Sequence, residues 1–234
     1  MEVNYKNIKV IGFDADDTLW VNETYFREAE KEFAKLLSKY ETPNKIDQEL
    51  FKKEIDNLPL YGYGVKAFVL SMVESALELS NNNISSQTIN AILNIGKEML
   101  NKPVELLDGV ENVLKTLSKK YRLILATKGD LLDQERKLEK SGLTDYFHHI
   151  EVLSDKQETN YSKLLNHLDI KSDEFLMIGN SLKSDVLPLV NIGANAIHVP
   201  FHTTWAHEEV SEKDTNGKAY KTINSLNEIL NLLS

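Results

Sequence analysis

The chain has no cysteine among its 234 residues. That excludes a disulfide framework, a thiolate nucleophile and any cysteine-ligated zinc or iron–sulfur centre. No apolar run is long enough to span a bilayer, and the opening MEVNYKNIKV lacks an apolar signal core. A cytoplasmic protein with no membrane partner is therefore expected. Positive charge is the scarcer sign, with 27 Lys and Arg against 36 Asp and Glu for a net charge of −9. A nucleic-acid partner, whose phosphates demand clustered basic side chains, is not expected. The six histidines lack the paired spacing of a helical zinc site, and no GxGxxG fingerprint, internal repeat or low-complexity tract occurs. What is present is an ordinary globular composition, 41% hydrophobic and 27% charged, with ample material for a core.

Ile8–Phe13 (IKVIGF) reads as a short strand buried on both faces, as in a parallel sheet. From Asn22 to about Leu106 the pattern is helical instead. Asn22 is expected to cap a first helix whose Phe26, Ala29, Phe33, Leu36, Leu37 and Tyr40 recur at three- and four-residue spacing. Thr42-Pro43-Asn44 breaks it. A second helix is expected over Asp47–Leu58, ended by Pro59, and a third over Val65–Ser80. A fourth opens at Ser85 or Ser86 and ends near Pro103. Between the second and third, Tyr61-Gly62-Tyr63-Gly64 is a turn whose aromatics could line a pocket or staple two helices.

Beyond Asp108-Gly109, helices and strands alternate. Strands are expected at Arg122–Ala126, His149–Leu153, Phe175–Ile178, Ala196–Val199 and near Lys221–Ile223. Helices are expected at Val110–Ser118, Leu131–Ser141, Asn160–Leu168, Ser184–Ile192 and Leu226–Leu233. The polar stretch Phe201–Lys218 reads as an exposed loop. The whole predicts an α/β protein: a Rossmann-like parallel sheet covered by helices, with an inserted α-helical bundle. The core would be discontinuous, residues 1–20 and 107–234, and the insertion would span 21–106.

In open α/β sheets, ligands bind beyond the carboxyl ends of the strands. Asp14-Ala15-Asp16-Asp17-Thr18 follows the first predicted strand, Thr127-Lys128-Gly129 the second, and Ser154-Asp155-Lys156 the third. Gly179-Asn180-Ser181 follows the fourth, with Asp185 a few residues on. Carboxylates, a hydroxyl and an ammonium thus gather on one edge. Two carboxylates 4 Å apart repel by about 4 kcal/mol at an effective dielectric near 20. Such a cluster calls for a divalent cation or a shared proton. Oxygen-only donors suit a hard ion such as Mg²⁺. A lone DxD is more often a surface turn, but this one sits directly after a buried strand with the other strand-end residues present.

FDADDTLW, Thr127, Lys156 and GNSLKSD, in this order and at these strand ends, resemble the four motifs of the haloacid dehalogenase-like (HAD) superfamily. The helical insertion falls where that superfamily places a C1-type cap. The resemblance implies Asp14 as nucleophile, Asp16 as general acid/base, Thr127 as the second motif's hydroxyl and Lys156 as the third motif's lysine. Lys163 competes with Lys156 but sits inside a predicted helix. A Mg²⁺ ion would be held by Asp14, Asp16, Asp185 and Asn180. Substrate phosphate would meet Asp16, Thr127, Lys128 and Lys156, Lys128 through its ammonium or merely its backbone amide. Asn180 departs from the superfamily's pattern, which has Asp there, and replaces one acidic metal ligand by a neutral amide.

The activity this implies is Mg²⁺-dependent hydrolysis of a small phosphorylated metabolite through an aspartyl-phosphate. The superfamily's dehalogenases are the nearest chemical rival, but they lack the second carboxylate that Asp16 supplies. A phosphomutase keeps both carboxylates and stays open, as does a low-turnover binding protein on the same scaffold, which Asn180 motivates. Substrate identity and oligomeric state are not legible in the residues.

Overall fold

The computed structural model describes residues 5–233. Six parallel strands form one sheet in the order β3-β2-β1-β4-β5-β6. They are β1 Val10–Phe13, β2 Arg122–Lys128, β3 His149–Leu153, β4 Phe175–Gly179, β5 Asn195–His198 and β6 Lys221–Thr222. β1 lies in the middle, with Val10 opposite Arg122 on one side and Phe175 on the other. Both β1 and β4 are buried along their whole length, which explains their unbroken apolar runs.

Side chains alternate across the sheet with the two-residue period of a strand. On one face Ile11, Phe13, Leu123, Leu125, Leu176 and Ile178 pack with helix α5 (Val110–Leu117) and with Ile229 of α10 (Ile229–Leu232). On the other, Val10, Ile124, Ala126, Phe175 and Met177 pack with α7 (Glu158–Leu168) and α8 (Leu187–Asn191). Truncating a buried aromatic such as Phe175 costs about 3–5 kcal/mol. A further helix, α6 (Leu131–Ser141), follows β2. Gly142 after it has φ 71°, a left-handed stop.

Backbone packing groups residues 5–23, 104–128 and 134–233 into this α/β unit, and Thr24–Pro103 with Gly129–Asp133 into a second, helical unit. The helical unit is built on α1 (Glu23–Leu37), α2 (Pro43–Tyr61), α3 (Val65–Leu79) and α4 (Ser86–Asn101). Phe33, Leu37, Ile46, Leu50, Phe68, Met72 and Ile92 form its core. A Cβ at Gly96 would lie 2.2 Å from Val69 Cγ2, so glycine permits α3 and α4 to meet there. Ser85 caps α4 by accepting from the Thr88 N–H at 3.1 Å. Among the described residues no helix is long and apolar enough to cross a membrane.

Several boundaries differ from those expected. α2 starts at Pro43 rather than after it, because proline's fixed φ and missing N–H suit the first helical position. It also runs through Pro59 to Tyr61, so Pro59 does not end it. The proline lies in the last turn, where little helix remains to be disturbed, and Gly62 at φ 71° makes the stop. The first helix is capped by the Asp17 carboxylate, which accepts from the N–H groups of Asn22 and Glu23, in place of the expected Asn22 cap. The expected helix Ser184–Ile192 divides into a wide turn over Leu182–Val186, with i to i+5 bonding, and α8. The stretch 201–218 is not simply an exposed loop: it forms short turns at Ala206–Glu208 and Glu212–Thr215, and Glu208 is mostly buried.

Candidate active site

Because all strands are parallel, the carboxyl ends of β1, β2, β3 and β4 share one edge. The β1 ladder continues to Asp14, whose N–H donates to the Ile178 carbonyl at 2.9 Å. The chain then turns tightly: Leu19 N–H returns to the Ala15 carbonyl at 2.8 Å and Asp17 takes φ 62°. This turn directs Asp14 and Asp16 to different partners.

Asp14 is 7% exposed, and its Oδ1 accepts from Lys156 Nζ at 2.5 Å. The same ammonium donates to Asp185 Oδ1 at 2.6 Å. Lys156 thus bridges two carboxylates from different strand ends while only 3% exposed. Lys163, the competitor in sequence, is exposed on α7. Burial alone would lower the Lys156 pKa, but Asp14 and Asp185 hold it well above the ordinary range. Burial pushes the Asp14 carboxyl upward, against the pull of Lys156 and with the help of Asp185. Thr18 Oγ1 donates to Asp14 Oδ2 at 3.1 Å. A Cβ at Gly179 would fall 2.3 Å from the Asp185 carboxylate, so only glycine leaves room for that side chain. Asp185 Oδ2 is fixed by the Ser181 N–H at 3.0 Å, within the wide turn after β4. Beneath it, the buried Tyr161 hydroxyl donates to the Ser184 carbonyl at 3.0 Å.

Asn180 stands beside Asp14. In the amide orientation that satisfies its surroundings, its nitrogen donates to Asp14 Oδ2, Thr18 Oγ1 and the Asp16 carbonyl, each at 3.2 Å. One carboxylate oxygen, one main-chain carbonyl and one amide therefore converge, and turning the amide would present a third oxygen. That donor set fits a hard divalent cation. Asp185 is joined to it through Lys156. Among the described residues, no three His, Cys, Asp or Glu side chains form a metal cage.

Asp16, expected among the metal ligands, belongs to the converging group through its carbonyl. Its carboxylate is engaged elsewhere, by Trp20, Gln134 and Lys137. Thr127 is 1% exposed and its hydroxyl donates to the Lys128 carbonyl at 3.1 Å. Lys128, expected to meet the substrate phosphate or lend its amide there, ends β2. Its ammonium donates to Glu208 Oε1 at 2.6 Å and to Ser184 Oγ at 2.9 Å, so a built-in carboxylate already balances its charge.

Glu208 was not singled out by sequence reasoning, nor were Gln134, Lys137 and Ser181. Glu208 Oε2 also accepts from Ser181 Oγ at 2.5 Å and Ser184 Oγ at 2.6 Å. Burial would raise its pKa, but Lys128 and the two hydroxyls overcome that and hold it at about 2. Nothing in a polar, aperiodic loop announces such a role. Gln134 and Lys137 do show a helical i, i+3 spacing, yet only the fold brings Asp16 to that face. In the helical unit, Asp130 caps α6 by accepting from the Asp133 N–H and pairs with Lys66 at 2.9 Å. The Tyr61 hydroxyl donates to Glu74 at 2.9 Å, fastening α2 to α3.

A family model described as haloacid dehalogenase-like hydrolase matches residues 8–193. A haloacid dehalogenase-like family hydrolase from Xanthomonas campestris is 36% identical, with a TM-score of 0.86, over 100% of this chain and 94% of that one. A HAD hydrolase of Bacillus subtilis solved with magnesium bound is 18% identical, with a TM-score of 0.65, over 98% and 100% of the two chains. A 2-haloacid dehalogenase from Pseudomonas syringae is 18% identical, with a TM-score of 0.63, over 97% and 98%. Among curated proteins none matches significantly.

Proposed function

Because this chain belongs to the haloacid dehalogenase-like hydrolase family, we propose that it is a Mg²⁺-dependent phosphatase. Its substrate would be a small phosphorylated metabolite, hydrolysed through an aspartyl-phosphate on Asp14. The observation that carries this reading is the buried Lys156 bridge between Asp14 and Asp185, beside a second carboxylate, Asp16, held by donors of its own.

An Asp14 oxygen would form the bond to phosphorus while the bond to the leaving oxygen breaks and that oxygen takes a proton from Asp16. Asp16 would then accept a proton from the water that attacks the phosphorylated Asp14, releasing phosphate and restoring both side chains. Lys156 supplies positive charge where the phosphoryl oxygens gather, and Thr127 a hydroxyl at the end of β2. Bound to Asp14, the Asp16 carbonyl and Asn180, with Asp185 adjoining, Mg²⁺ would neutralise the mutual repulsion of nucleophile and phosphate.

A 2-haloacid dehalogenase shares the fold, so fold alone leaves the leaving group open. The separately held Asp16 favours phosphoryl transfer, in which a poor leaving alkoxide needs a proton; a halide does not. The test is phosphate release from sugar phosphates, nucleotides and small acid phosphates with Mg²⁺, wild type beside Asp14→Asn. We expect Asp14→Asn to lose about a thousandfold or more. Equal release by both proteins, or halide release from a 2-haloacid with no phosphatase activity, would defeat the proposal.

A further inference from the structure

Asp16 lies two residues beyond Asp14, yet among the described residues the two carboxylates share no hydrogen-bond partner. Asp16 Oδ1 accepts twice, from Trp20 Nε1 at 2.8 Å and from Lys137 Nζ at 2.5 Å. Its Oδ2 accepts once, from Gln134 Nε2 at 2.9 Å. Trp20 is fully buried and Gln134 is 2% exposed, so neither can swing away without disturbing the core. Gln134 is tied down further: the same amide nitrogen donates to the Lys128 carbonyl at 2.9 Å. Lys137 differs from both. Its side chain is 18% exposed and its ammonium also reaches Asn22 Oδ1 at 3.4 Å. It is the one charged donor of the three and the only one on a flexible stem.

The asymmetry between the two oxygens has a chemical consequence. An oxygen holding an indole N–H and an ammonium is committed as an acceptor. The other, with a single neutral amide donor, keeps a lone pair for a proton. We propose that Lys137 is a positioning residue for Asp16: with Trp20 it anchors Oδ1, so that Oδ2 is the oxygen that delivers and recovers the proton. The inference rests on the reading of Asp16 as the acid that protonates the leaving oxygen. Lys137 itself neither gains nor loses a proton; the proton passes from Asp16 Oδ2 to the leaving oxygen as the phosphorus–oxygen bond breaks.

A residue that acts only through acid catalysis matters most when the leaving group is poor. The test compares kcat/KM for p-nitrophenyl phosphate, whose leaving group needs little protonation, and phenyl phosphate, whose leaving group needs more. Both are measured in the full chain with Mg²⁺ for wild type, Lys137→Met, Lys137→Arg, Asp16→Asn and the double variant Asp16→Asn with Lys137→Met. Lys137→Met is expected to lose about tenfold or more on phenyl phosphate but no more than about threefold on p-nitrophenyl phosphate. Lys137→Arg should recover part of the difference, and in the Asp16→Asn background Lys137→Met should add no further discrimination. Should Lys137→Met fail to fold, Lys137→Gln replaces it in the same comparison. Equal losses on both esters, or undiminished discrimination without Asp16, overturn this inference alone. Wild-type turnover by Asp14→Asn overturns the parent reading and this one with it.

Discussion

The α/β unit buries a matched set of charges, Lys156 with Asp14 and Asp185, and half-buries another, Lys128 with Glu208. Between α2 and α3 of the helical unit the buried polar groups are small and neutral. Asn57 donates to Ser71 Oγ at 3.1 Å, and the Ser75 hydroxyl, 1% exposed, finds no hydrogen-bond partner among the described residues. The two styles suit different tasks. A buried ion pair is costly to desolvate, but its partners and directions are fixed, which chemistry at a defined atom requires. Small hydroxyls and an amide in the buried seam between α2 and α3 let the two helices approach closely, while the charged contacts between them, such as Lys53 with Glu78, stay at its exposed margin.

The comparison is tested most severely at Lys156. Lys156→Met leaves two carboxylates buried without their cation, and should cost about 3–5 kcal/mol in urea denaturation at neutral pH, together with the loss of phosphate release. A change below about 1 kcal/mol would mean that the bridge is not holding the two strand ends. Glu208→Gln comes next. The folded carboxyl sits at about 2 against an ordinary value of 4.5, so ionised Glu208 contributes on the order of 3 kcal/mol. The shift is downward, so this contribution is complete above about pH 4.5 and disappears as pH falls toward 2. Urea melts of wild type and variant at a series of pH values should therefore differ most near neutrality and converge in acid; a constant gap would contradict the pairing. The smallest effect belongs to the helical unit. Ser75→Ala removes an unpartnered hydroxyl and should be neutral or stabilising by up to about 1 kcal/mol in the same melts. A clear loss of stability would show that the hydroxyl is engaged after all.

Much of this was legible in the residues because it is local. The apolar runs of β1 and β4 declare strands buried on both faces, and parallel strands put Asp14, Thr127, Lys156 and Asp185 on one edge wherever their helices lie. The recurrence of Phe33, Leu37, Phe68 and Met72 declares helices with an apolar stripe. The rest depends on contacts between distant segments. Lys128 reads as a free cation until Glu208, 80 residues on, is brought beside it. Lys137 reads as an ordinary surface lysine of α6 until Asp16, 121 residues back, meets it. Pro59 reads as a stop because proline usually is one; its place in the final turn of α2 makes it tolerable there.

The order of the strands also bears on how the chain reaches this state. β1 leaves the ribosome before its two neighbours, which follow roughly 110 and 165 residues later. Until they arrive, an apolar ribbon with both edges bare must be kept from sticking to other chains, while the helices made in between can already gather around their own apolar stripes. The strand that leads into Asp14 is thus made well before either of its neighbours, and chaperone demand should be greatest in that interval.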